Sequence, residues 1–262
     1  MPAQITSFAN PQIKNVIALV KKSKARSAQG LFVVEGMKMF REMPPSWLYQ
    51  AYVSETFEKG RFWQETREIC SPLVVSDQVF ASMSDTCAPQ GILALVRQPA
   101  YSLEQLAGTD SRPFLLLLEN LQDPGNLGTI LRTAEAAGCA GVIMSRDTVD
   151  IYNPKVIRST MGAVYRVPFL YAEDFGQTVI RLKEKGFSIY AAHLQGSVPF
   201  SQADYTVSCA CMIGNEGKGL TEAAASLADW RIRIPMEGQA ESLNAAVSAA
   251  LIMYEAYRQK KT

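Results

Sequence analysis

The chain has 262 residues, 48% of them hydrophobic, a mean hydropathy near zero and a formal net charge of +1. That is enough for two modest domains with real cores. The longest apolar run, Phe114 to Leu118, falls far short of the roughly 20 residues needed to cross a bilayer. The N-terminus Met1-Pro2-Ala3-Gln4 carries no charged-then-apolar signal, so no membrane partner is expected and the cytoplasm is the default compartment.

The charge is uneven: residues 1–100 hold 11 Lys/Arg against 8 Asp/Glu, and residues 101–262 hold 15 against 17. Any attraction for a polyanion therefore falls on the first part. Asn10-Pro11 reads as a helix start, and Ile13, Val16, Ile17 and Val20 form an apolar stripe. The helix runs into Lys21, Lys22, Lys24 and Arg26, a cationic tail suited either to a phosphate backbone or to the helix C-terminus. Leu31–Val34 reads as a strand, Met37–Met43 as a helix, and Ala51–Val53, Leu73–Val75 and Ile92–Val96 as further strands, which together predict a small α/β sandwich. Gln98-Pro99-Ala100-Tyr101 and Gly108-Thr109-Asp110-Ser111 bracket a linker, placed at 101–111 between domains 1–100 and 112–262.

Beyond it, Phe114–Leu118, Gly141–Met144, Phe187–Ala191 and Cys209–Ile213 are strand-like runs separated by helical patterns, the spacing of a parallel sheet. The last helix is predicted over about Leu243 to Arg258. Leu243, Val247, Ala250, Leu251 and Tyr254 lie on one stripe, and on the other flank Ala245, Ala246 and Ala249 are small enough for another backbone to approach. Five cysteines, an odd number without CxxC spacing, indicate neither a disulfide framework nor a metal site. The single histidine, His193, follows an apparent strand end, where it is either a loop residue or part of a site.

Three segments carry chemistry. Asp123-Pro124-Gly125-Asn126 stops a strand and opens a helix with Leu127, Ile130, Leu131 and Ala134 inward and Arg132 outward, either beside a reachable surface or ion-paired with Glu135. Gly214-Asn215-Glu216-Gly217-Lys218-Gly219 fits neither the P-loop nor the GxGxxG register. Its glycines permit positive φ and close approach to a ligand, while Asn215 and Glu216 offer hydrogen bonds to an adenosine or ribose. A second polar segment, Ile234 to Asn244, then opens the last helix, so the two together form a candidate ligand floor at strand ends.

These segments, with Arg158-Ser159-Thr160-Met161-Gly162-Ala163 between them, stand in the order of the SpoU/TrmH family of RNA ribose 2'-O-methyltransferases of the SPOUT class, which residues 114–258 resemble. Asn10-Pro11-Gln12-Ile13-Lys14, Arg26 and Phe32-Val33-Val34-Glu35-Gly36 resemble the family's accessory substrate-binding domain, related to RNA-binding ribosomal proteins. The resemblance implies an α/β catalytic domain whose parallel sheet ends in a deep trefoil knot, a small α/β RNA-binding domain, a homodimer with its active site at the subunit interface, and S-adenosylmethionine as cofactor. It places Gly214, Asn215, Gly217, Ile234, Met236, Leu243, Asn244 and Ala246 at the cofactor. Arg132 would act on the ribose 2'-hydroxyl, with Asn126, Glu216, Ser242 and Asn244 ordering the site, and Lys21, Lys22, Lys24, Arg26 and Arg158 would contact RNA. Where many relatives have serine in the middle motif this chain has Thr160, which keeps the hydroxyl. The implied substrate is 23S-type ribosomal RNA. The alternatives are ribose methylation of transfer RNA, base methylation, or a non-catalytic RNA-binding or assembly factor of the same fold.

Overall fold

The computed structural model describes residues 4–108, 111–195 and 198–261, so Thr109 and Asp110 of the expected linker lie outside the described residues. The chain divides into two compact units. Unit 1 takes the residues up to Pro99 together with Asp150–Tyr165, and unit 2 takes Ala100–Val149 and the chain from Arg166 onward.

Unit 1 opens with α1 (Pro11–Lys21), capped by the Asn10 side chain, which accepts from the Gln12 N–H, with proline in the first turn. The helix buries Ile13, Val16, Leu19 and Val20; Leu19 takes the inward place expected of Ile17, which is half-buried. There follow α2 (Ser23–Gln29), β1 (Leu31–Glu35), α3 (Met37–Glu42), β2 (Leu48–Ser54), α4 (Glu55–Glu58), α5 (Trp63–Ile69), β3 (Leu73–Val75), α6 (Asp77–Met83) and β4 (Ile92–Arg97). The strands form one sheet in the order β1-β4-β2-β3, with β4 antiparallel to both neighbours and β2 parallel to β3. Alternation along the strands sends Leu31, Val33, Tyr52, Leu93 and Leu95 into a core with α1 and α6, where Ile13, Leu19, Phe80 and Met83 meet them.

Phe32, Val34, Val53, Ala94 and Val96, on the alternate positions of the same strands, are buried as well. Here the structure departs from a contiguous division of the chain, because residues 150–165 pack into unit 1. The Tyr152 ring lies 4.8 Å from that of Phe32, the helix Pro154–Thr160 buries Val156, Ile157 and Thr160, and the Tyr165 hydroxyl donates to the Met39 carbonyl at 3.1 Å. Sequence proximity placed this segment with its neighbours; apolar complementarity places it with the first unit.

Arg26 locks the segment in place and is the clearest correction to the expected RNA contacts. It is only 4% exposed. Its guanidinium donates to Asp150 Oδ2 at 2.9 and 2.6 Å and to the carbonyls of Leu19 and Val20 at 2.7 and 3.1 Å. It satisfies the free carbonyls at the end of α1 from within the core, and its charge is neutralised there. Lys21, Lys22 and Lys24 remain exposed.

Unit 2 contains α7 (Leu103–Ala107), β5 (Phe114–Leu118), α8 (Pro124–Ala136) and β6 (Gly141–Ser145). After α9, the helix Pro154–Thr160 that belongs to unit 1, come β7 (Phe169–Ala172), α10 (Phe175–Glu184), β8 (Ser188–Ala192), β9 (Val198–Pro199), β10 (Cys209–Ile213), α11 (Glu222–Ala225), β11 (Trp230–Arg233) and α12 (Ala245–Lys261). The sheet runs β7-β6-β5-β10-β8-β11-β9 and every pairing is parallel. Strands β5 and β10 are buried at all five positions, as central parallel strands covered on both faces must be. The short strands β7, β9 and β11 extend the sheet beyond the four runs expected.

Of the two flanks of α12, the small one is covered within the chain. Ala245, Ala246, Ala249, Ile252, Met253 and Ala256 are buried, whereas Val247, Leu251, Tyr254 and Tyr257 are 47%, 40%, 49% and 43% exposed. The small residues serve close packing against α8 within the chain, and the large apolar stripe is the face left uncovered.

The Arg26 arrangement predicts that Arg26→Ala lowers stability by about 3 kcal/mol, because it strands Asp150 and two carbonyls. Lys24→Ala should stay within about 0.5 kcal/mol. Denaturant midpoints of unfolding check both, and a neutral Arg26→Ala would refute the structural role.

Candidate functional site

The site is built where β10 enters the sheet between β5 and β8, a reversal of strand order of the kind where open parallel sheets bind ligands. The chain leaving β5 and the chain leaving β10 emerge side by side, joined by the Glu119 N–H donating to the Ile213 carbonyl at 2.9 Å. Gly214 follows at once. A Cβ there would lie 2.1 Å from the Gly219 carbonyl carbon and the Leu220 nitrogen, so the chain's own return requires glycine. The return is closed by reciprocal backbone hydrogen bonds between Asn215 and Gly219, at 3.0 and 2.9 Å, with Gly219 at φ +69°.

Asn215 and Glu216 face back toward the β5 end. The Asn215 amide donates to the Asn120 carbonyl at 2.9 Å, and its Oδ1 accepts from the Gly217 and Lys218 N–H groups, each at 3.0 Å. The Glu216 carboxylate accepts from the N–H groups of Gln122 at 3.0 Å and Asp123 at 2.8 Å and from the Asn126 amide at 3.0 Å. Asp123 in turn caps α8 by accepting from the Asn126 N–H at 2.7 Å. Asn126, 9% exposed, passes the chain on: its Oδ1 accepts from the Asn244 amide at 2.9 Å. Asn244 Oδ1 then accepts from the Ala246 and Val247 N–H groups at 2.9 and 3.3 Å, capping α12. Three of the expected ordering residues thus form one continuous network.

Burial pushes the Glu216 carboxyl upward, but the hydrogen bonds from Asn126, Asp123 and Gln122 outweigh it and hold the group below the ordinary carboxylate range. An acceptor-only carboxylate suits three converging donors, which an amide would meet with its own N–H.

A cleft of about 450 Å³ opens at the C-terminal ends of β8, β10 and β11. Of the residues assigned to the cofactor by resemblance, Gly214, Asn215, Gly217, Ile234, Met236 and Leu243 line it, and Glu216 and Ser242 line it too. Asn244 and Ala246 do not: Asn244 is committed to the network, and Ala246 is 4% exposed, with its N–H taken by the cap, so Ala245 and Ser248 present the helix to the cleft instead. His193, Leu194 and Gln195 also line it. The signal for them was positional, since they follow β8 as Gly214 follows β10. The His193 Nδ1 lies 3.1 Å from the Gln195 backbone nitrogen and 3.3 Å from the Gln195 carbonyl oxygen, so the ring is held against its own turn.

Arg132 stands exposed on α8, outside the cleft, and its side chain makes no hydrogen bond or ion pair among the described residues. Glu135 pairs with Arg166 instead. In unit 1, Arg158 pairs with Asp85 at 3.0 Å while remaining 37% exposed. Thr160 is fully buried and its hydroxyl donates to the Ile157 carbonyl at 2.7 Å, a structural use that a serine would share.

Because Glu216 titrates lower in the folded chain than in the unfolded one, its stabilisation is complete above the ordinary carboxylate range and is lost as pH falls through the depressed value. Glu216→Gln should therefore cost about 1 kcal/mol at neutral pH, a figure reduced because the group is solvent-exposed. Urea midpoints of native and variant chains should converge as the pH falls through that depressed value; a gap independent of pH would dismiss the carboxylate's role.

Residues 113–254 match the SpoU rRNA Methylase family, and residues 10–94 match the MRM3-like substrate binding domain. The 23S rRNA (guanosine(2553)-2'-O)-methyltransferase RlmP of Bacillus subtilis is 34% identical over 253 residues, covering 96% of this chain and 98% of that protein. Among solved structures, the SpoU methyltransferase AviRb from Streptomyces viridochromogenes, in complex with the cofactor AdoMet, superposes with a TM-score of 0.88 at 27% identity, covering 97% of this chain and 99% of that one. The AdoMet-bound rRNA methyltransferase from Sinorhizobium meliloti gives 0.83 at 30% identity, covering 98% and 97%. Matched over residues 113–254 and, in its first unit, over residues 10–94, the chain belongs to the SpoU family of RNA methylases and carries an MRM3-like substrate-binding domain.

Proposed function

We infer that this protein transfers a methyl group from S-adenosylmethionine to a ribose 2'-hydroxyl of 23S-type ribosomal RNA. The observation that carries the reading is the cleft at the ends of β8, β10 and β11, walled by the Gly214–Leu220 return and by the chain from Ile234 to Leu243. Its residues fit the cofactor: backbone groups at Gly214, Ile234 and Leu243 can take the polar edges of an adenosine and an amino acid, while Leu194, Met236 and Ile252 offer apolar surface. S-adenosylmethionine supplies the methyl group already activated as a sulfonium.

The chain's own part is positioning and charge. The Glu216–Asn126–Asn244 network holds the starts of α8 and α12 against the glycine return, and Ser242 faces the cleft. Arg132 meets the 2'-oxygen. A guanidinium holds its proton with a pKa above about 12, so its principal role is to stabilise the alkoxide as it forms, while the 2'-hydroxyl proton passes to the adjoining RNA phosphate, or to Arg132 only where the guanidinium has first given up a proton of its own. Because Arg132 lies outside its own cleft, the reading includes a homodimer in which the exposed Val247, Leu251 and Tyr254 stripe of α12 is covered and Arg132 serves a shared site. Family membership supports a trefoil knot in the C-terminal part of unit 2. The substrate-binding match in unit 1, with exposed Lys21, Lys22 and Lys24, supports ribosomal over transfer RNA. The mechanism calls on no metal, and the free cysteines are in keeping with a reducing cytoplasm.

The test is transfer of labelled methyl from S-adenosylmethionine to unmodified rRNA and tRNA. Label should enter alkali-resistant dinucleotides of rRNA, and Arg132→Ala should cut the rate by about 10²–10³ while leaving cofactor binding intact. Label on tRNA alone would overturn the substrate assignment, and label in alkali-labile positions the ribose assignment. Tyr254→Glu should shift the sedimentation of the native chain from dimer to monomer and abolish transfer; a monomeric native chain with full activity would exclude the shared site.

A further inference from the structure

The segment around α5 is poorly explained by folding alone. The helix Trp63–Ile69 buries only Thr66, Ile69 is 41% exposed, and Phe62 and Trp63 are half-buried. Rings left partly in water forgo part of the roughly 25 cal/mol per Å² that burial would contribute. What covers them instead is cationic. The Arg61 guanidinium carbon lies 4.5 Å from the Phe62 ring centroid, that of Arg41 lies 4.8 Å from it, and that of Arg67 lies 5.8 Å from the Trp63 ring. Arg41 is held in place by Glu65, at 2.5 and 2.6 Å. Arg61 and Arg67 have no carboxylate partner among the described residues, and their guanidinium groups lie against the rings.

In the same unit Arg97 lies over Tyr49 at 5.1 Å. We propose that Arg61, Phe62, Trp63 and Arg67, with Arg41 behind them, form a stacking platform for unpaired bases of the RNA substrate. This rests on the methyltransferase reading above and extends it to how the RNA is held. Sequence-selective RNA recognition targets splayed bases in loops and bulges, because the deep, narrow groove of a duplex hides its base edges. Such bases stack on aromatic rings and on guanidinium planes, and the charge of arginine also attracts the adjoining phosphate. The exposed Lys21, Lys22 and Lys24 have no ring beside them; they are point charges suited to phosphates and to steering. The platform reads bases, and the lysines supply the salt-dependent part of affinity.

The experiment uses the full chain with Trp47→Phe and Trp230→Phe, which leaves Trp63 as the only one of its three tryptophans. Titrated with an unmodified 23S-type rRNA transcript, Trp63 emission should be quenched as the RNA stacks. In the native background, Arg61→Ala with Phe62→Ala should raise KM for that transcript about tenfold, with kcat unchanged. Arg61→Lys keeps both the charge and the ring, so it reads the proposal even if the double variant folds poorly. It should lose several-fold in affinity, whereas Lys22→Ala with Lys24→Ala should mainly flatten the salt dependence. Full affinity in Arg61→Lys, or unquenched Trp63 in a chain that still methylates the transcript, would overturn the platform while leaving the enzyme reading intact. Normal methylation of naked RNA by the platform variants with failure only on ribosomal precursor particles would assign the surface to a protein partner and also overturn it. A native chain that binds no RNA would sink both readings.

Discussion

Glu216 is the point on which the catalytic unit depends. Its two oxygens gather two backbone N–H groups just ahead of α8 and the Asn126 amide within it, and Asn126 then takes the amide of Asn244 at the start of α12. One carboxylate thereby ties the glycine return, α8 and α12 into a single arrangement. The donors converge because β10 enters the sheet beside β5, which sets the two strand ends next to each other. Without that strand order the same residues would have no common centre. The network also explains why Asn244 stays out of the cleft it helps to shape: both ends of its amide are already engaged.

A second dependence runs through Arg26. A guanidinium at 4% exposure needs a charge and acceptors, and it finds them in Asp150 and in the last carbonyls of α1. The partner is supplied by residues 150–165, a segment that lies in sequence within the methylase match yet packs in unit 1. The stretch carrying Arg158 and Thr160 is therefore positioned by the substrate-binding unit. Its cations are divided in their work: Arg26 holds the fold, Arg158 is paired but partly exposed, and Lys21, Lys22 and Lys24 stay available to a polyanion.

Much of this was legible in the residues. Phe114–Leu118, Leu73–Val75 and Cys209–Ile213 begin and end where their apolar runs do, because a parallel or central strand buried on both faces needs unbroken hydrophobicity. Asn10-Pro11 and Asp123-Pro124 mark helix starts by local chemistry, a side-chain oxygen for a free N–H and a ring that needs none. The cleft was legible too, through glycines and small polar residues after two strands. Strands β7, β9 and β11 were not: Phe169–Ala172 and Val198–Pro199 are apolar but very short, Trp230–Arg233 carries two arginines, and each takes its place from its paired neighbour.

By itself, then, the amino-acid sequence determined where regular elements begin, which motif residues occur and in what order, and that α12 has one small and one large apolar face. Only the tertiary structure decided which face of α12 is covered within the chain, that Arg26 is structural, and that residues 150–165 belong with the first unit. The physical reason is range. Periodicity and capping are settled among residues a few positions apart, whereas the burial of a charge or a face is settled by its partner, and Arg26 meets Asp150 across 124 residues of chain.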